Sequence, residues 1–121
     1  MRLDLFLKWS RVILRRTLAK DNWEVLEAEN GRVALEKLNG LVPALILLDL
    51  MMPEMDGFEF MEELRKLPEC RRVPVVVVTA KDITEQDRQR LNGQVARVMQ
   101  KGSLKMEDLV REVRAVSEAH E

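Results

Sequence analysis

The sequence predicts a three-layer α/β sandwich built on a parallel sheet, and three observations carry that prediction. Two short runs, residues 44–48 (ALILL) and 73–78 (VPVVVV), are apolar throughout and rich in branched residues. Runs of this length are too short for typical helices and suit strands buried on both faces, which is the pattern of parallel sheets. The segments between them switch to helical periodicity. Strand and helix alternate about every 10 to 15 residues, the spacing of right-handed crossovers between parallel neighbours.

The elements follow in chain order. Residues 3–7 (LDLFL) form a candidate first strand, although Asp4 lies inside it. Val12, Ile13, Leu14, Thr17 and Leu18 then place an apolar stripe on one face of a helix, leaving Arg11, Arg15, Arg16 and Lys20 for water. Residues 23–27 (WEVLE) and 95–99 (VARVM) are strands interrupted by polar residues, as expected nearer the edges of a sheet. Asn30 can cap a helix carrying Val33, Ala34, Leu35 and Leu38, which Asn39 and Gly40 close. Asp56 with Glu59, and Asp82 with Glu85, each fit an acidic variant of the capping box and mark helix starts before Phe58 and Ile83. Ser103 is placed to cap a last helix whose buried side is Leu104, Leu109, Val110, Val113 and Val116.

Composition narrows the function. A length of 121 residues suits a single domain over 1–121, and no linker, repeat or low-complexity tract divides it. With 20 basic and 21 acidic residues the formal charge is -1, so nothing draws the chain as a whole toward nucleic acid or an anionic membrane. Cys70 is the only cysteine, which excludes an internal disulfide and a cysteine-based zinc site. No apolar run approaches the ~20 residues of a membrane helix, and residues 1–10 lack the apolar core of a secretory signal. The expected setting is cytoplasmic.

In open α/β sheets, ligands gather beyond the carboxyl ends of the strands. Three polar residues end apolar strands there: Asp49 after LILL, Thr79 after VVVV and Lys101 after VMQ. Singly, each has a bland reading, as a loop cap, a strand end and a solvated lysine. Together they fit a phosphoryl-accepting site, in which a carboxylate attacks phosphorus while an ammonium and a hydroxyl meet the incoming charge. Met51, Met52 and Met55 follow Asp49 and suit either core filling or an adaptable contact surface. His120 has no second histidine nearby in the sequence and reads as a tail residue.

The stretches LILLDLMMPEMDGFEF at residues 45–60, VPVVVVTAKD at 73–82 and VMQKG at 98–102 resemble the receiver domains of bacterial two-component response regulators, with EAENGRVALEKL at 27–38 in support. The resemblance spans residues 11–116. It implies a flavodoxin-like sheet of five parallel strands in the order 2-1-3-4-5, with helices on both faces. It further implies Asp49 as phosphoacceptor, Thr79 as switch hydroxyl, Lys101 as phosphate-contacting lysine, and Mg²⁺ held by Asp49 and the Met51 main-chain carbonyl. Pro53 and Gly57 shape the loop between them. The implied partners are a sensor histidine kinase or phosphotransfer protein, and an effector protein or a second copy of the chain.

The sequence also departs from that pattern. Receivers end their first strand with an acidic pair that holds the metal, and here those positions fall at Leu5 and Phe6. Asp4, one residue earlier, would serve only if the strand slipped or bulged. Weak Mg²⁺ binding is therefore expected. Val98 stands where many receivers carry an aromatic residue, and Gly102 where proline is common. A competing reading is a phosphate-independent pseudo-receiver that binds partners through the same fold. An aspartyl phosphatase would carry a second Asp where this chain has Met51, and neither a P-loop nor a dinucleotide fingerprint is present, so no enzyme is expected.

Overall fold

The computed structural model describes residues 2–7, 23–28, 30–39, 42–51, 55–100 and 105–119. Its strands are β1 (Arg2–Leu7), β2 (Trp23–Ala28), β3 (Leu45–Leu48), β4 (Val75–Thr79) and β5 (Arg97–Gln100). They pair in parallel in the order β2-β1-β3-β4-β5. The described helices are α1 (Gly31–Lys37), α2 (Gly57–Lys66), α3 (Glu85–Leu91) and α4 (Met106–Ala119), with a 3-10 turn at Pro68–Cys70.

Every residue of β3 and β4 is buried, and the alternation of a strand sorts them between two cores. Ile46, Leu48, Val75 and Val77 face Ala34 and Leu38 beside α1 and Phe60 and Leu64 of α2. Leu45, Leu47, Val76 and Val78 face Leu109, Val113 and Val116 of α4. Both faces are covered, which is why the two runs contain no polar residue. Each buried Leu or Val contributes about 1.5–3 kcal/mol through removal from water. The interrupted runs around Trp23 and Arg97 are the outer strands, and β1 lies inside, between β2 and β3.

Several boundaries differ from the expectation. β4 begins at Val75 rather than Val73, because Pro74 has no N–H for the ladder and contributes only its carbonyl, which accepts from Ile46 N at 3.0 Å. β5 begins at Arg97, two residues later than the Val95 start suggested by VARVM, with Arg97 level with Val76. The third helix is capped by Thr84 and not by Asp82. Thr84 Oγ1 accepts from Asp87 N at 3.1 Å while the Asp87 carboxylate accepts from Thr84 N at 3.1 Å, closing a full capping box two residues downstream. Asp56 does cap α2, its Oδ1 accepting from Glu59 N at 2.9 Å, and Asn30 caps α1 by accepting from Val33 N at 3.0 Å. Val110 is half-buried rather than buried. The stripe over residues 12–18, together with Trp9, Gly40, Gly102, Ser103, Leu104 and His120, lies outside the described residues.

Two contacts fix the chain around this sheet. Gly57 N donates to Leu50 O at 3.2 Å, and a Cβ at Gly57 would sit 2.7 Å from Leu50 Cα and 3.0 Å from Asp49 O. Only glycine lets α2 start this close to the end of β3. At the other end of α2, the Arg65 guanidinium donates to the carbonyls of Cys70, Arg71, Val73 and Gln94 at 2.6–3.1 Å. Burial lowers its pKa, and the nearby Cys70 partly offsets that.

Candidate functional site

Asp49 is the first residue past β3, and its side chain stays where the strand leaves it, 6% exposed. Oδ1 accepts from Met51 N at 3.0 Å, a turn closed by the side chain two residues back. The same oxygen accepts from Thr79 Oγ1 at 3.0 Å. Thr79 ends the neighbouring parallel strand and is fully buried, so the carboxylate and hydroxyl meet because β3 and β4 lie side by side. The geometry can hold one negative charge against directed donors in a site largely shielded from water.

The hydroxyl also leads away from the carboxylate. Thr79 Oγ1 accepts from Lys81 N at 3.2 Å. Lys81 Nζ pairs with Asp87 Oδ2, and the Lys81 carbonyl accepts from Gln100 Nε2 at 3.0 Å. Gln100 is level with Thr79 across the β4–β5 pair. The hydrogen bond from Lys81, and after it the backbone N–H of Thr84, hold the Asp87 carboxyl below the usual carboxylate range. Asp49 is thereby linked through three residues to the first turn of α3.

Lys81, Asp87 and Gln100 were missed by sequence reasoning. Thr84 and Asp87 do spell a capping box three residues apart, but Asp82 and Glu85 spell another two residues earlier, and only the path of the loop decides between them. Lys101 follows Gln100 and lies outside the described residues. Met51 is 56% exposed beside Asp49 and so fills no core, whereas Met55 is half-buried against the α1–α2 junction. Cys70 is buried, and burial followed by the Glu69 charge raises its thiol pKa, so it offers no thiolate.

β1 meets this rim differently. Its register is regular against β2 from Arg2 to Leu7 and against β3 from Asp4 to Phe6, and Asp4 is level with Leu45. That places Asp4 four residues behind Asp49 along the strands, about 13 Å at a strand's rise per residue. Leu5 and Phe6 are level with Ile46 and Leu47. Among the described residues, no three His, Cys, Asp or Glu cluster in a way that could hold a metal ion.

With Asp49 and Thr79 joined at the carboxyl end of a parallel sheet, comparison with known proteins decides the family. Residues 8–114 match the response regulator receiver domain. The chain belongs to that family. This receiver is 42% identical over 82 residues, 66% of the chain, to the sensor histidine kinase CheAY of Helicobacter pylori. The match takes in 10% of that protein, so the chain spans about a tenth of it. The receiver domain of a signal transduction histidine kinase from Syntrophus aciditrophicus superposes with a TM-score of 0.84 at 26% identity, covering 98% of this chain and 92% of that one. Response regulator Rcp1, solved in its Mn(2+)-bound form, superposes with a TM-score of 0.75 at 27% identity, covering 96% and 91%. The parallel sheet with helices packed on it is the flavodoxin-like receiver fold.

Proposed function

We propose that this receiver accepts a phosphoryl group on Asp49 from a histidine kinase or phosphotransfer protein, and signals through a conformational change that a partner reads. The observation that carries the reading is the buried Asp49 carboxylate hydrogen-bonded to the Thr79 hydroxyl at the end of two parallel strands. In the reaction, an Asp49 carboxylate oxygen attacks the phosphorus of a phosphohistidine, the P–N bond breaks, and the imidazole leaves with its electron pair. The product is an acyl phosphate. Thr79 then redirects its proton donor from Oδ1 to a phosphoryl oxygen, and Lys101, by the family pattern, supplies the positive charge. The output is binding by an effector or a second copy, not turnover, since Met51 stands where a phosphatase needs an acid. The proposed setting is cytoplasmic. No described helix is long and apolar enough to cross a membrane.

Rcp1 was solved with Mn(2+) bound, and the resemblance to receivers implies Mg²⁺. The described residues fit such an ion poorly. Asp49 is the described carboxylate at this rim, the family's acidic-pair positions fall on Leu5 and Phe6, and Asp4 is level with Leu45, four residues behind Asp49. A hard cation wants several oxygen ligands. Weak Mg²⁺ affinity is therefore expected.

The same observation favours a second reading, a phosphate-independent receiver kept as an interaction module. Incubation with acetyl phosphate and Mg²⁺, followed by intact-mass and peptide analysis, separates the two. A phosphoryl mass gain confined to the peptide carrying Asp49 supports the acceptor. A folded chain that takes up no phosphoryl group, with or without Mg²⁺, sinks it in favour of the module.

A further inference from the structure

Where β4 and β5 begin and α4 ends, at the edge of the sheet opposite Asp49, lies a cleft of about 460 Å³. Arg65, Arg71, Arg72 and Arg97 line it, and among the described residues no acidic one does. In a chain with 20 basic and 21 acidic residues, that is a local separation of charge. Two of the four are already committed. Arg65 donates to four carbonyls, and Arg97 pairs with Glu112 Oε2 at 3.1 Å while donating to Ala96 O at 2.9 Å. Arg71 and Arg72 are exposed, and among the described residues no carboxylate lies within 4 Å of either. Two guanidinium forks thus stand at the mouth with carboxylate-matching geometry and no carboxylate to match.

We propose that this basic cleft docks an acidic peptide segment of a partner protein, with glutamate or aspartate side chains on Arg71 and Arg72 and a small apolar side chain between them. The floor supplies the second half of the fit. Pro74, Val95, Ala96 and Ala115 are apolar and short, which lets a peptide backbone approach closely. The volume takes a few side chains rather than a folded surface. Nucleic acid is the disfavoured occupant. Among the described residues, no aromatic one lines the cleft for a base to stack on. The site is independent of phosphorylation at Asp49.

The test uses the 121-residue chain and a short fluorescein-labelled peptide of glutamates interrupted by alanines, with a single-stranded thymidine oligonucleotide as the competing polyanion. Anisotropy should show salt-sensitive peptide binding that Arg71→Glu with Arg72→Glu weakens by about tenfold or more. Arg88→Glu, an exposed change on α3 away from the cleft, should leave it unaltered. Amide shifts in a heteronuclear spectrum should map the peptide to residues 71–75, 93–97 and 115–119, and the same spectrum reports that each variant is folded. Absence of peptide binding, an equal loss in Arg88→Glu, or oligonucleotide binding as tight as the peptide's would each overturn the proposal.

Discussion

β1 and β4 both flank β3, and both run to the same edge of the sheet, yet they bring unlike chemistry to Asp49. β4 ends on Thr79, whose buried hydroxyl donates to the carboxylate at 3.0 Å and connects it to Lys81, Gln100 and α3. β1 runs Leu5, Phe6, Leu7 after Asp4, which is level with Leu45, four residues behind Asp49. To the sheet the two strands are equivalent, since each pairs in regular parallel register and closes the ladder of β3. Packing asks only for apolar residues in extended form, whereas chemistry asks for a particular polar atom at a particular strand end. A strand can therefore serve the receiver sheet equally well with or without a polar group at its end.

That contrast can be broken from either side. The largest effect is expected from Asp49→Asn, which removes the nucleophile but keeps the volume. Phosphoryl uptake from acetyl phosphate, read by intact mass, should vanish, and uptake that persists would move the acceptor elsewhere. Thr79→Val keeps the shape of β4 but leaves Asp49 Oδ1 one donor short and Lys81 N without its acceptor. It should cost about 1–3 kcal/mol in urea unfolding.

On the β1 side, Leu5→Asp with Phe6→Asp should tighten Mg²⁺ binding by about tenfold or more, followed by tryptophan fluorescence. Unchanged affinity would mean that acids at those positions do not point to the rim. The smallest effect concerns pH. The Asp87 carboxyl is held below its ordinary pKa by Lys81 and Thr84, so its support for the first turn of α3 is complete above the ordinary carboxylate range. It should fade as the pH falls through the depressed value. Amide exchange at residues 85–87 should rise over that acidic range and lose the pH dependence in Asp87→Asn.

Particular residues explain how far the sequence alone could be read. Residues 45–48 and 75–78 declare themselves as strands because both faces are buried and no polar residue is admitted. Asp49 and Thr79 stand out for the same reason, as the first polar groups after uniform apolar runs. β5 is harder to delimit, since an outer strand with its ends exposed tolerates Arg97 and Gln100, and polar interruptions hide where pairing starts. The cap of α3 was misplaced because Asp82/Glu85 and Thr84/Asp87 satisfy one rule two residues apart. The Lys81–Asp87 pair and the Arg65 contacts leave no local pattern at all, because they join segments whose meeting depends on loop paths.

Arg65 has one more consequence, for the order in which the molecule comes apart. Its guanidinium reaches from α2 to Gln94, 29 residues away, so that bond exists only once β4 and the approach to β5 have come together. An interaction of this kind is made late in folding and broken early in unfolding, and it acts chiefly on the unfolding barrier. The side chain is in that sense a latch on lifetime. Chevron measurements on Arg65→Met should steepen escape from the native state while leaving the refolding limb where it was, and a slower refolding limb would place the contact in the nucleus instead.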